Sequence, residues 1–382
     1  MNEKMKKTKI TPETPTILVV LGATGDLMKK KIVPSVCYLY INKRLPRRFC
    51  VVGMARRPLE DSVFQQQVRT QLETQLPDAA GETIRDVAAL FTYHQGEFDD
   101  PEAFTKLRTK LEKIDMEWGV CSNKLFFLAV PPAHFENIFQ NMFRTHLNIP
   151  CGGKLGWTRL LIEKPFGENI STAKRLFTLL GKHFKEEQLY LIDHYLAKNI
   201  VQAIMHFRFS NGLFEKSWDN CSIERIDVRL LEASGVEERG TFYDALGAFR
   251  DVGENHLLQM LAAVTMDSPR KISSMIVRRR RAEIMEALKK WNPADIRQKT
   301  FRAQYDGYRS IAHVDPKSVT ETYFKIQTEL THPAWRGVPI TIESGKHCIA
   351  PRKEVVVTFK RSNLCGACRT EDQGRNRVVF SI

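Results

Sequence analysis

The chain of 382 residues has no run of uncharged apolar residues as long as the ~18 that a membrane-crossing helix needs; its longest such stretches lie near residues 16–24 and 125–132. A bilayer-spanning role is therefore not expected. Residues 1–16 hold four lysines, two glutamates and two prolines in place of the apolar core of a secretory signal, so residues 1–15 read as a disordered arm. Glycine and proline are too sparse, at 21 and 17, for collagen or a low-complexity chain. The eight cysteines are scattered through a chain too large to need stapling, which points to a reducing compartment and the cytoplasm. Cys365 and Cys368 have C-x-x-C spacing but lack the second ligand pair of a zinc ribbon, so no metal is assigned. What is present is an ordinary globular composition, 43% hydrophobic and 27% charged, long enough for two to three domains. Acidic residues are outnumbered: 58 Lys+Arg against 44 Asp+Glu leave +14. That excess favours anionic partners, among them phosphorylated metabolites, nucleotides and nucleic acid, without choosing between them.

Short, mostly apolar runs over 17–21, which is rich in β-branched residues, and over 49–54, 124–130 and 158–162 alternate with helical patterns over 27–42, 61–74, 101–114 and 169–184. This rhythm predicts a Rossmann-like, doubly wound parallel sheet over residues 16–193. Beyond it the pattern changes to a long helical stretch from about 197, a strand over 223–232, and helices over 241–264 and 281–290. Strand-like runs over 318–330, 339–343, 355–359 and 377–382 follow without intervening helices. The expected fold class is thus α/β followed by α+β, with residues 194–382 forming a large, mainly antiparallel sheet with helices. The last run reaches Ile382 without a turn, so the second domain is expected to be truncated.

Gly22, Ala23, Thr24, Gly25, Asp26, Leu27, Met28 and Lys29 join the first strand to the first helix. Glycine there lets backbone approach a pyrophosphate, and the helix N-terminus favours its charge. Met28 takes the third small-residue position, so the string alone is also compatible with an ordinary turn; the flanking strand and helix favour the cofactor reading. Arg56 and Arg57 end the second strand where an NAD site places a carboxylate, which favours NADP and its 2′-phosphate over two solvated surface arginines. Asp193, His194, Tyr195 and Lys198 concentrate a carboxylate, an imidazole, a phenol and an ammonium at the expected domain junction. His194, Tyr195 and Lys198 could together hold a phosphate. Around Arg250 to His256, α-helical geometry puts Asp251 and Asn255 on one face and turns His256 about 140° from Asp251. Taken alone, His256 is more often a packed helix residue than a base. The basic stretch over 270–281 lacks interleaved aromatics and reads as a solvated face rather than a nucleic-acid surface.

The strings Gly22 to Leu27, Glu163-Lys164-Pro165-Phe166-Gly167, Ile192-Asp193-His194-Tyr195-Leu196 and Gly235 to Gly240 resemble the glucose-6-phosphate dehydrogenase family. The likeness continues, in order, through Tyr243-Asp244, Arg250-Asp251, Asn255 to Gln259, Gln304-Tyr305, Trp335 to Pro339 and Gly345-Lys346. The resemblance implies oxidation of the C1 hydroxyl of glucose 6-phosphate to the 1,5-lactone, with hydride passing to NADP, at the start of the oxidative pentose phosphate pathway. It matches His256 to the general base and Asp193 to its supporting carboxylate. His194, Tyr195 and Lys198 match sugar-phosphate ligands; Glu232 and Asp251 match acceptors for sugar hydroxyls; Lys346 matches a further substrate lysine. Lys164 matches the lysine between substrate and nicotinamide, Gly22 to Lys29 the cofactor turn, Arg56 the 2′-phosphate arginine, and Phe127 a position where a cofactor-contacting tyrosine is common. It also implies a homodimer or tetramer where the sheet is complete, with no nucleic-acid or membrane partner. Leu191, Ala197 and Asn199 depart from the family pattern, and Glu343 replaces an arginine and places negative charge near an anion site. The alternative is a catalytically impaired or truncated NADP-binding paralogue.

Overall fold

A computed structural model describes residues 15–151, 156–164, 166–167, 169–193, 199–269, 273–361 and 376–382. The chain divides into two compact units, one ending at Ile192 and the other beginning at Asp193, so Asp193 opens the second unit rather than closing the first.

In the first unit, strands β1 (Thr16–Leu21), β2 (Phe49–Ala55), β3 (Phe91–Gln95), β4 (Asn123–Leu128), β5 (Thr158–Glu163) and β6 (Leu189–Ile192) form one sheet in the order β3-β2-β1-β4-β5-β6. All its pairings are parallel. This is the doubly wound order, whose reversal between β1 and β4 opens a crevice at the carboxyl ends of the strands. Alternation along β1 explains why both faces are covered. Ile17, Val19 and Leu21 join one core with Phe104, Leu107, Ile138 and Leu180, while Val20 joins another with Val36, Phe64, Val68 and Val87. The helix Pro101–Trp118 shows how sequence sets the boundaries: the Asp100 side chain accepts from Glu102 N at 2.9 Å, Pro101 occupies the first turn, and Gly119 closes it in the left-handed conformation.

Several elements were not foreseen in the sequence. β3 and β6 are edge strands, too short or too polar to read as buried runs. The helices Gly81–Ala89 and Phe135–Arg144 were also missed. The first helix begins with a π-helical turn, Met28–Ile32, before the α-helix Val33–Ile41; Pro34, which lacks an N–H, sits where the two meet.

In the second unit, β7 (Ile223–Leu231), β8 (Thr300–Ala303), β9 (Tyr323–Thr328), β10 (Ile340–Gly345), β11 (Arg352–Phe359) and β12 (Arg377–Ser381) lie in the order β12-β11-β7-β10-β9-β8. The sheet is antiparallel except between β7 and β10, which run parallel. One face is apolar: Ile226, Val228, Leu230, Ile340, Ile342, Val355 and Val357 pack with Tyr243, Leu257, Leu261 and Ile284 from the helices. The alternate positions of β7 and β10 carry Arg225, Asp227, Arg229 and Glu343. The helix expected over 281–290 is displaced to Ser274–Glu286, because the Ser273 side chain caps it by accepting from Ile276 N at 3.3 Å. Among the described residues, no helix is long and apolar enough to cross a membrane.

Candidate active site

The sequence-derived cofactor residues collect at one edge of the first unit. Gly22 to Lys29 follow β1, Arg56 follows β2, Phe127 is the penultimate residue of β4, and Lys164 follows β5. All therefore stand at carboxyl ends, around the switch between β1 and β4. Gly22 has φ +99° and donates from its N–H to Met54 O at 2.9 Å; a Cβ there would run into the carbonyl of Ala129. The turn is thus a cradle that only glycine fits. Gly25 N donates back to Gly22 O at 3.0 Å and Lys29 N to Gly25 O at 3.2 Å, which starts the helix. Ala23 and Met28 are buried in the core beneath, so these two can offer a ligand only backbone. Met28 at the third small-residue position is a core residue, the reason the motif deviates from glycine. Arg56 and Arg57 are exposed, and among the described residues neither guanidinium has a carboxylate partner. A glycine cradle beside two uncompensated guanidiniums fits a dinucleotide bearing an extra phosphate.

In the second unit the structure brings together two pairs of the expected residues. His256 Nδ1 lies 3.1 Å from Asp193 Oδ1, and both residues are buried. The element that presents His256 is not the α-helix the sequence suggested. Gly240–Ala248 is α-helical but breaks at Gly247, with φ +77°, and Phe249–Leu257 is π-helical before Leu258–Thr265 resumes the α form. Glu321 fixes the break: its backbone O accepts from Ala248 N at 2.9 Å and its Oε1 from Phe249 N at 3.0 Å. In a π-helical turn, bonding runs from i to i+5, so Asp251 and His256 come toward one side instead of standing about 140° apart. Gly253 lets the wide turn press on the sheet, since a Cβ there would lie 2.6 Å from Phe324 Cζ. Asp251 is held by Arg239 at 3.7 Å.

Glu232 and Lys346, separated by 114 positions, form an ion pair because β7 and β10 are parallel neighbours with Leu231 opposite Gly345. Each residue is the next one after its strand. Lys353 adds a second ammonium 3.7 Å from Glu232. Glu343 faces Arg229 across the same strand pair at 3.4 Å and accepts from Tyr323 OH at 2.5 Å. Its charge is therefore already balanced locally, contrary to the sequence-based concern about a nearby anion site.

His194, Tyr195 and Lys198 lie outside the described residues, as do Ala197, Cys365 and Cys368. Leu191 is exposed on β6. Sequence reasoning missed Arg281, which it placed in a solvated basic face. Arg281 is half-buried, donates from Nη1 to Gln259 Oε1 at 3.2 Å, and burial lowers its pKa while the charge of Asp193 acts to raise it. The rest of that helix follows the expected pattern: Arg279 and Arg280 pair with Glu283 at 3.5 and 2.8 Å. Cys121 and Cys151 also depart from expectation, since they form a disulfide.

Two family descriptions match most of the chain: glucose-6-phosphate dehydrogenase, NAD binding domain, over residues 19–203, and glucose-6-phosphate dehydrogenase, C-terminal domain, over residues 205–382. Similar curated proteins include the glucose-6-phosphate 1-dehydrogenase of Chlamydia muridarum, 34% identical in an alignment that covers 91% of this chain and 71% of that protein. The enzyme of the same name from Bacillus subtilis is 33% identical over 92% of this chain and 72% of its own length. Among solved structures, a glucose-6-phosphate dehydrogenase in complex with its substrate glucose-6-phosphate superposes with TM-score 0.84 at 28% identity, covering 96% of this chain and 75% of that one.

Proposed function

The chain belongs to the glucose-6-phosphate dehydrogenase family, and from that premise we propose how its residues divide the work. The protein is an oxidoreductase that converts glucose 6-phosphate to 6-phospho-glucono-1,5-lactone, the entry to the oxidative pentose phosphate pathway. NADP, when bound, accepts the hydride from C1. The observation that carries the assignment of roles is the buried Asp193–His256 pair.

The Asp193 carboxylate accepts from His256 Nδ1–H, which fixes the tautomer and leaves the lone pair on Nε2 to take the C1 hydroxyl proton. As the imidazole becomes cationic, Asp193 stabilises it across the same hydrogen bond. Arg281 adds a positive charge that interacts with Asp193. Glu232 and Asp251 accept from sugar hydroxyls, and Lys346 donates to the sugar; the existing Glu232–Lys346 pair keeps those two groups together before substrate arrives. His194, Tyr195 and Lys198 bind the sugar phosphate by the family match. On the first unit, Gly22 to Lys29 cradle the pyrophosphate, Arg56 meets the 2′-phosphate, Phe127 packs against the cofactor, and Lys164 serves both cofactor and substrate. Glu343 was one of two sequence-level motives for a non-catalytic or truncated paralogue, and its pairing with Arg229 answers that one. A cytoplasmic setting, where hexose phosphates and NADP occur together, completes the reading.

The test is direct. Purified protein given glucose 6-phosphate and NADP should generate the near-ultraviolet absorbance of NADPH; binding of both without turnover would reject the proposal.

A further inference from the structure

The amino-terminal edge of the first sheet, opposite the cofactor turn, carries a second cluster of reactive groups. β4 and β5 are parallel neighbours, with Lys124 opposite Thr158, so the segments leading into them run side by side. Cys121 and Cys151, 30 positions apart, meet there with their Cα atoms 6.3 Å apart and form a disulfide. Asn123 Oδ1 accepts from Gly156 N at 3.0 Å and Trp157 N at 3.2 Å, which ties the two segments together. Gly156 has φ +78°, and a Cβ on it would lie 2.5 Å from Cys121 Sγ. Lys124 reaches into the cluster: its Nζ lies 2.5 Å from Asp115 Oδ2, 3.1 Å from Ser122 O and 3.7 Å from Cys151 Sγ. Cys151 is exposed, whereas Cys121 is half-buried.

We propose that Cys121 and Cys151 are a reversible thiol–disulfide couple, a modification site for small external disulfides, with Cys151 as the attacking sulfur and Cys121 as the resolving one. Cys151 Sγ has the access that exchange requires, and the Lys124 ammonium, also paired with Asp115, stands 3.7 Å from it as a hydrogen-bond donor to the sulfur. The other described cysteines lack this combination. Cys37 is buried, and burial pushes the Cys50 thiol up to about 12. The same three ligand groups, Asp115, Cys121 and Cys151, are close enough to hold a metal ion. The ammonium of Lys124 on Asp115 opposes that use.

The chemistry balances with oxidised glutathione as the oxidant. The Cys151 thiolate attacks one glutathione sulfur, the external S–S bond breaks, and one glutathione leaves as thiolate. The Cys121 thiolate then attacks Cys151 Sγ and expels the second glutathione. The protein dithiol loses two electrons, the external disulfide gains them, and the two thiol protons end on the released glutathiones.

The experiment reduces the full-length protein, removes the reductant, adds oxidised glutathione and follows intact and peptide masses after acid quenching. Wild-type protein should lose two hydrogens and retain no adduct. Cys121→Ser should retain one glutathione on Cys151, formed on the order of tenfold faster than on the exposed Cys221, while Cys151→Ser should react at Cys121 on the order of tenfold more slowly. Both variants should keep wild-type dehydrogenase turnover, which reports their folding. Reducing the wild-type disulfide should lower Tm by roughly 5 °C or more, as expected for opening a loop of this length. Equal modification of Cys221 and Cys151, or a persistent adduct on wild-type protein, overturns the couple. Stoichiometric zinc binding by the reduced protein, lost in either cysteine variant, also overturns it and makes the cluster a metal site.

Discussion

His256 and Asp193, 63 positions apart in sequence, meet at 3.1 Å between Nδ1 and Oδ1 with both residues buried. A surface histidine–carboxylate contact would be screened and worth little. In this setting a carboxylate can select one imidazole tautomer and hold the ring in place, as proposed above.

His256→Asn should therefore lower kcat by about 10²- to 10⁴-fold, the usual contribution of a positioned base. The KM for glucose 6-phosphate should stay within about threefold if chemistry limits turnover. NADPH absorbance kinetics supply both values. If KM rises as far as kcat falls, His256 is a binding residue and the role given to it is wrong.

Asp193→Asn tests the tautomer separately. Its amide can donate to Nδ1, which would move the proton to Nε2 and remove the acceptor from the reacting face, so kcat should drop on the order of 10²-fold. Unchanged kcat in a folded variant would show that Asp193 serves only packing.

At the other unit, Arg56→Gln should raise the KM for NADP by about 10- to 100-fold, the range for losing a charge-assisted contact to phosphate. Rates with NAD, which has no 2′-phosphate, should hardly change. A parallel loss with both nucleotides would assign Arg56 to the shared pyrophosphate or to folding.

Gly253→Val would drive a side chain into Phe324 and Phe249, the contacts that seat the π-helical turn. Overpacking of this kind costs about 1 to 3 kcal/mol. Thermal melts should show the loss, and kcat should fall by more than the unfolded fraction explains because His256 is carried on the same turn. A lowered Tm with normal kcat would separate the turn from the chemistry.

Glu343 can be tested in both directions. Glu343→Gln should retain kcat, since Arg229 still has Asp227 at 3.3 Å and Glu354 at 3.2 Å. Glu343→Arg should lower Tm, because the new guanidinium would face Arg229 on β7 and Lys325 on β9, like charges directly opposite one another. A stable Glu343→Arg variant with improved turnover would restore the anion-site concern.

The first sheet was legible because β1, β2, β4 and β5 lie inside it and so read as mostly apolar runs. β3, with its Phe-Thr-Tyr-His-Gln alternation, and the four-residue β6 lie at the edges, where the apolar signal weakens. The residues of the site were equally legible as chemical types in motif strings. Their local geometry was not. The π-helical turn depends on Glu321 and Phe324 from sequence-distant positions, and no periodicity within 249–257 reports them.

Sequence alone singled out the proposed cofactor turn and its basic neighbour, because a tight strand-to-helix connection and a missing carboxylate are local facts. It also singled out His256 and Asp193, the base and partner proposed above, through strings that keep the same order as in the family. Tertiary structure decided which distant residues touch. Parallel pairing of β7 with β10 puts Glu232 against Lys346, and parallel pairing of β4 with β5 puts Cys121 against Cys151. Parallel neighbours bring like ends of distant segments together, and strand order is a property of the packed sheet that no local window of the chain contains.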